Sequence, residues 1–418
     1  MKIFFDYSLT SFLRSTFSLK LTLANIVFLS CSVAAKDTMG LEPEENPQTF
    51  YACVQGLQAE ARSRGVPKAL VDVLGNVKEI KRTIELDRSQ PEFVQTFADY
   101  FSKRVTDYRV SRGRELLREN KDFLQGLTKQ YGVPAQYIVS FWGLESNFGS
   151  YIGKMPILDS LATLACDTRR SGLFTRELFS ALDIMAEHTI PVEKMQGSWA
   201  GAIGHTQFLP SAYKQYGVDG DGDGRIDLWG SQVDALTSAA NYLNNLGWEK
   251  ELRWGREVLL PSGFDYSLSG IKNPKKLSEW RELNLKKTNG QLVADLNIEA
   301  ALLVPSGSDG PKFLIYDNFE VIMKWNRSQF YALSVGSLAD RINGAGEFYQ
   351  TFPEASPLTK DQVIQLQTRL DQMGFEPGDI DGRLGPATTQ SISKYQKSVN
   401  AVADGFADSQ LLKSLNIL

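Results

Sequence analysis

Phe141-Trp142-Gly143-Leu144-Glu145-Ser146-Asn147-Phe148-Gly149 sets a single carboxyl group among aromatic and aliphatic side chains. Ile138, Trp142 and Glu145 stand at i, i+4 and i+7, so a helix turns all three to one face. Gly149 reads as the stop of that helix. An acid held there loses the water that would solvate its charge, and the carbonyl end of the helix disfavours the carboxylate further. Its pKa is therefore expected to climb from about 4.3 toward neutrality, as a general acid for breaking glycosidic bonds requires. The same residues also describe a partly buried glutamate at a helix end, satisfied by a backbone partner.

A second stretch works with the first. Gly197-Ser198-Trp199-Ala200-Gly201-Ala202-Ile203-Gly204-His205-Thr206-Gln207-Phe208-Leu209-Pro210 mixes small residues with hydrogen-bonding ones, which permits close backbone approach to a ligand. Ser198 and Gln207 are candidates to hold sugar hydroxyls or an N-acetyl group, and Trp199 and Phe208 to offer apolar surfaces to pyranose rings. The alternative is a tight interhelical loop that packs small residues.

Around these motifs the periodicity is mostly helical. Cys53, Leu57 and Ala61 keep a four-residue spacing, as part of a helical pattern from Phe50 to about Gly132, with Phe93, Phe97, Tyr100 and Phe101 further along. Residues 134–250 continue it, broken by loops at 149–156, 196–210 and 217–230. Val258-Leu259-Leu260-Pro261, Leu302-Leu303-Val304-Pro305 and Phe313-Leu314-Ile315-Tyr316 are short β-rich runs, which place a small β-containing insertion between about 256 and 335. The expected class is mainly α (α+β). A body over 49–351 is followed by a linker at 352–357 and by a small three-helix unit over 358–418. No solenoid-type repeat is evident.

Hydrophobic residues at 42% and charged residues at 22% fit a globular protein with a sizeable core. A net charge of −4, with no basic tract interleaved with aromatics, argues against nucleic acid as a partner. Lys2, Arg14 and Lys20 precede a short apolar run ending in Val33-Ala34-Ala35, the pattern of a signal peptide over 1–35. Its removal, taking Asp6 as well, leaves −6. The polar segment 36–48 that follows, with two prolines, is expected to be disordered. No segment is long and apolar enough to span a membrane. The expected location is the periplasm; Cys31 after Leu29-Ser30 offers the alternative of an outer-membrane lipoprotein. Cleavage after Ala35 leaves Cys53 and Cys166, which an oxidising compartment would pair; two buried free thiols are the alternative.

Asp219-Gly-Asp221-Gly-Asp223-Gly224-Arg225-Ile226-Asp227 follows the start of a calcium loop: oxygens at positions 1, 3 and 5, Gly at 6, Arg225 at 7 and a carboxylate at 9. Position 12 is Gly230, and Asp234 comes late, so any calcium bound should be held weakly and structurally. An Asp/Gly turn is the alternative. Zinc finds no support, since the two histidines, His188 and His205, lack ligand spacing. His205 is expected at the surface or lining a groove. No Gly-x-Ser-x-Gly elbow appears.

Taken together, Gly143 to Gly149, Lys154-Met-Pro-Ile-Leu-Asp-Ser-Leu-Ala-Thr-Leu164, Arg169-Arg170, Gly201 to Ser211, Asp234-Ala235 to Tyr242 and Trp325-Asn326-Arg327-Ser328-Gln329-Phe330-Tyr331 resemble the lytic murein transglycosylase B family over roughly residues 50–350. Residues 358–418, with Asp379-Ile-Asp-Gly-Arg-Leu-Gly-Pro386, are similar to a small peptidoglycan-binding domain. The resemblance implies a lysozyme-like helical fold with a glycan groove and cleavage between N-acetylmuramic acid and N-acetylglucosamine in peptidoglycan strands. Glu145 matches the single catalytic acid/base; Ser198, Gln207 and Asn326 match residues lining the groove. Trp325 and Tyr331 fall within the same motif, Trp325 where a tyrosine is often found. One acid would first protonate the leaving oxygen and then deprotonate the muramic acid 6-hydroxyl, closing a 1,6-anhydro ring without a required cofactor. Two-carboxylate glycosidases need a second acid; the only one in these motifs, Asp159, reads as a helix N-cap. A lysozyme-type muramidase and a noncatalytic wall-binding protein are the competing readings. Protein partners are not legible.

Overall fold

The computed structural model describes residues 47–88, 95–354 and 356–418. The expected signal peptide, most of the polar segment after it, Cys31 and Phe93 lie outside them.

Helices α1 (Pro47–Ser63), α2 (Lys68–Leu74), α3 (Lys81–Arg88), α4 (Phe97–Arg104), α5 (Asp107–Glu119) and α6 (Lys121–Tyr131) lead to α7 (Ala135–Ser146). Local sequence sets their limits. Thr96 and Thr106 cap α4 and α5 by accepting the backbone N–H of Asp99 and Arg109. Pro134 precedes α7, whose residues Tyr137–Gly143 and Ser146 are all buried. A helix with so long a buried run belongs in the middle of a core, and α7 packs against α5 and α14 (Gln329–Ile342). The Ser140 hydroxyl, in that interior, donates to the Val335 carbonyl at 2.7 Å.

Helices α8 (Ile157–Cys166) and α9 (Ser171–His188) pack as a pair, followed by α10 (Pro210–Tyr216) and α11 (Gln232–Asn245). A ribbon too short to read in the sequence, β1 (Met155–Pro156) with β2 (Gln196–Gly197), fastens the two loops that flank α8 and α9. Cys53 of α1 and Cys166 of α8 are joined as a disulfide, with Cα atoms 5.9 Å apart.

The three β-rich runs form strands of one antiparallel sheet: β3 (Gly255–Leu259), β4 (Lys275–Lys276), β5 (Lys286–Lys287), β6 (Glu299–Leu303) and β7 (Lys312–Ile315), in the order β4-β6-β7-β3-β5. Alternate residues serve two cores. Ala301, Leu303, Phe313 and Ile315 join the helical body. Ala300, Leu302 and Leu314 join a small core with Trp280 of α12 (Leu277–Glu282). Burial on both faces explains why these strands read as continuous apolar runs rather than as alternating ones. The β region ends at Ile315, earlier than the sequence suggested, because α13 (Asp317–Trp325) and α14 return the chain to the helical body.

Beyond Pro357 lie α15 (Lys360–Gln372), α16 (Pro386–Ser398) and α17 (Ser409–Ser414). One device occurs here twice. Buried Gln367 donates to the Asp381 carboxylate and accepts from Gly382 N at 2.9 Å. Gln396 likewise donates to Asp404 and accepts from Gly405 N at 2.8 Å. Each glutamine thus pins an Asp-Gly turn, a short structural repeat without a fixed sequence period. Asp404 also accepts from Ser308 N at 2.7 Å, which joins this unit to the β region.

The disulfide closes a loop with a sequence separation of 113 residues, so a Cys53→Ala/Cys166→Ala variant should lose about 2–5 kcal/mol of stability. Denaturant unfolding of variant and oxidised parent checks this; equal midpoints would show that the cross-link contributes nothing.

Candidate active site

Helix α7 ends at Ser146, before the expected Gly149. Asn147, Phe148 and Gly149 all take left-handed backbone (φ 51°, 60° and 81°) and reverse the chain. The stop falls early because Asn147 N–H and Phe148 N–H already return to the Gly143 and Trp142 carbonyls. Gly149 has a different job: a Cβ there would sit 2.3 Å from the His205 ring. Gly153 likewise lies against Gly197, where a Cβ would come within 2.2 Å of backbone. The loop after α7 therefore packs tightly on the 196–210 loop.

Glu145, in the last turn of α7, is half-buried. Its Oε1 accepts from Trp325 Nε1 at 2.8 Å and from the Tyr331 hydroxyl at 2.5 Å. Both donors come from the corner between α13 and α14, where Ser328 caps α14 by accepting Tyr331 N–H at 3.2 Å. Tilted and edge-on rings hold the corner: Phe141, Tyr242 and Phe208 lie 4.5, 5.0 and 5.4 Å from Trp325 between centroids. Burial, and then the charge of Glu145, push the Tyr331 phenol well above its ordinary range, so it stays a donor. The surroundings of the acid are therefore not purely apolar, as the sequence suggested; two donors are set into an aromatic wall.

That wall corrects two of the expected sugar contacts. Phe208 and Trp325 are 0% exposed, so neither presents a ring face to a ligand. Tyr331 and Asn326 are also buried. Trp199 is half-buried against the core. Ser198 Oγ accepts from Ala200 N and Ala202 N at 3.2 and 3.0 Å, which stabilises its own turn. Gln207, at φ 49°, donates from Nε2 to the Ile152 and Gly204 carbonyls. Both side chains fasten the loop, leaving the Ser198 hydroxyl proton and the Gln207 Oε1 for a ligand.

His205 is half-buried and belongs to the framework rather than to the surface. Its Nδ1 accepts from Trp142 Nε1 at 3.0 Å, which places the ring proton on Nε2, and its carbonyl accepts from Ser146 Oγ. Burial holds its pKa below the ordinary value. Asp159 sits in the first turn of α8, whose N-cap position is Pro156, so it is not the cap. Burial pushes its carboxyl up, against a hydrogen bond from the Lys78 backbone.

A cleft of about 470 Å³ opens beside Glu145, lined by Lys103, Arg104, Arg109, Leu144, Ser146, Asn147, Ser150 and Tyr151. Glu145 is the one acid among the described residues that line it. The basic residues come from the α4–α5 corner, where the sequence pattern shows only helix.

Asp219, Asp221 and Asp223 bring carboxylate oxygens within 4.8 Å of one another. Asp227 is not part of this group: its Oδ1 accepts Trp229 N–H and Gly230 N–H. The backbone N–H of Arg225 donates to Asp223 Oδ1. Asp234, 1% exposed, is engaged by Gly220 N and Asp227 N, each at 2.8 Å. Three convergent carboxylates suit an oxygen-preferring divalent cation such as calcium.

The transglycosylase SLT domain family matches residues 49–340, and a putative peptidoglycan-binding domain matches residues 359–415. The membrane-bound lytic murein transglycosylase B of Escherichia coli is 34% identical over 249 residues, 58% of this chain and 66% of that protein. The chain thus spans just under two thirds of that relative's length. SltB3 of Pseudomonas aeruginosa, solved in complex with NAG-anhNAM-pentapeptide, superposes with a TM-score of 0.84 at 39% identity, covering 88% of this chain and 100% of that one. An Escherichia coli lytic transglycosylase in complex with calcium superposes with a TM-score of 0.61 at 30% identity, over 70% of this chain and 92% of that one. On this fold, motif order and extent of match, the chain belongs to the transglycosylase SLT family, the family of the lytic murein transglycosylases, and carries a C-terminal domain of the peptidoglycan-binding type.

Proposed function

We propose that this protein is a lytic transglycosylase that cleaves the β-1,4 bond from N-acetylmuramic acid to N-acetylglucosamine in peptidoglycan strands. Glu145 works twice. As the acid it protonates the glycosidic oxygen while the bond to C1 breaks. As the carboxylate it then removes the proton of the muramic acid 6-hydroxyl, whose oxygen attacks C1 and closes the 1,6-anhydro ring. The substrate's own N-acetyl group stabilises the developing oxocarbenium charge. Trp325 and Tyr331 both donate to Oε1, and an indole N–H, a donor only, keeps that oxygen an acceptor through the cycle. Ser198 and Gln207 contact the sugars with the polar atoms their loop leaves free, and Asn326 bounds the groove.

The observation that carries this reading is the one carboxylate among the described residues that line the cleft, fixed by two neutral donors. Two-carboxylate glycosidases need a second acid to activate water or to form a covalent intermediate. A muramidase on the same scaffold remains the second reading, since a water molecule in place of the 6-hydroxyl needs no new side chain. The C-terminal domain, residues 358–418, retains the enzyme on the wall, and the place of action is the periplasm. The reaction requires no cofactor. Asp219, Asp221 and Asp223 would hold a structural calcium.

Glu145→Gln should abolish release of anhydromuropeptides from sacculi while the thermal unfolding midpoint is retained; continued turnover would remove Glu145 from the role. Tyr331→Phe, which keeps the ring and loses one donor to Oε1, should lower kcat on soluble glycan about tenfold or more, with KM and folding little changed. An unchanged kcat would show that the hydroxyl does not position the acid. Calcium titrated into metal-free protein should release or absorb heat and raise the unfolding temperature, and Asp221→Asn should weaken both effects. Silence in both measurements would exclude the ion.

A further inference from the structure

The cleft beside Glu145 holds more positive charge than a neutral sugar polymer needs. Arg109, half-buried, spends its guanidinium on the carbonyls of Gly143, Lys103 and Arg104, at 3.1, 3.1 and 3.0 Å. It therefore ties the end of α4 to the last turns of α7, and it stays a cation without an acid beside it. Burial, then the charge of Arg104, lower its pKa, which marks the two guanidinium groups as near neighbours. Arg104 lies over the Tyr100 ring at 4.0 Å, and no acidic side chain among the described residues pairs with it. Lys103, exposed, continues the charge to the rim. Three cations thus line a cleft whose one acid among the described residues is Glu145, already engaged by Trp325 and Tyr331.

Cations gathered this closely repel one another, a cost that an incoming anion relieves. A guanidinium seated over an aromatic ring has N–H groups to offer a carboxylate, in the forked geometry that Arg favours. If the protein acts on peptidoglycan as proposed above, each muramic acid brings a lactyl side arm. That arm ends in a carboxylate, or in a peptide that carries carboxylates of its own. We propose that Arg104 and Lys103, set beside Glu145 by Arg109, form a carboxylate-binding subsite that reads the acidic side arm of the muramic acid next to the scissile bond. The subsite selects muramyl residues over plain N-acetylglucosamine and fixes the register in which the strand meets the acid.

The test is calorimetric titration of soluble glycan fragments in a Glu145→Gln background, so that affinity is read without turnover and independently of which reaction the enzyme performs. Three probes are used: glycan stripped of peptide, with free lactyl carboxylates; glycan bearing its peptides; and both after conversion of every carboxylate to a methylamide. Adding Arg104→Gln should weaken binding of the carboxylate-bearing glycan about tenfold and leave the methylamidated glycan unaffected. Lys103→Gln should weaken the former about threefold, and Arg104→Lys should restore part of the loss. A loss confined to stripped glycan identifies the lactyl carboxylate as the ligand, and one confined to peptide-bearing glycan identifies the peptide. Equal losses on methylamidated and native glycan would overturn the proposal, as would unchanged affinity for both. If Arg104→Gln does not fold, exposed Lys103→Gln decides the question alone.

Discussion

A single carboxyl oxygen, Oε1 of Glu145, receives two hydrogen bonds from side chains that follow it by 180 and 186 residues. Meeting both requires α7 to end at the corner between α13 and α14, and the rest of the body serves that meeting. The largely apolar α7 is driven to the centre of the core. Its abrupt left-handed stop aims the last turn outward. The rings of Phe141, Phe208 and Tyr242 leave Trp325 little freedom to move. Such preorganisation suits the acid/base role proposed for Glu145, because a donor already in place costs no reorganisation when the charge changes.

The remaining elements act at second hand. The 196–210 loop clamps the end of α7 through His205, which takes a hydrogen bond on its ring from Trp142 and one on its carbonyl from Ser146. Gln207 ties that loop to Ile152, and β1 with β2 ties it to the start of α8. The five-stranded sheet backs the body from outside, with Phe313 and Ile315 facing the helices. Asp404 then connects the sheet region to the small C-terminal unit, where it also anchors one of the two glutamine-pinned turns. The small C-terminal unit is thereby attached to the body by a defined contact as well as by the chain.

Much of this was legible in the residues. The 138–149 pattern announced a helix with one acid near its end, and the short runs at 258, 302 and 313 announced strands. The pairing of Cys53 with Cys166 followed from there being two cysteines beyond the expected signal peptide, and the structure joins them. What stayed hidden depended on packing between distant segments. Composition marks Phe208 and Trp325 as aromatic, but only the fold decides whether a ring faces a sugar or the core; here both face the core. His205 looked like a groove residue because its locking partners, Trp142 and Ser146, lie some sixty positions upstream. The cationic edge of the cleft escaped notice because Lys103, Arg104 and Arg109 look like ordinary solvated helix charges until α4 and α5 are folded against Glu145. The doubled Gln–Asp-Gly device was overlooked for a different reason. Its intervals differ, Gln367 preceding Asp381 by 14 residues and Gln396 preceding Asp404 by 8, so no fixed period marks it.

The central claim is that one acid, with the substrate's own hydroxyl as nucleophile, completes the reaction without water. Digestion of isolated sacculi in water enriched in ¹⁸O, followed by mass spectrometry of the released muropeptides, tests it most directly. The account predicts 1,6-anhydro ends that carry no heavy oxygen. Products that have gained water and carry the label at C1 of muramic acid would contradict it.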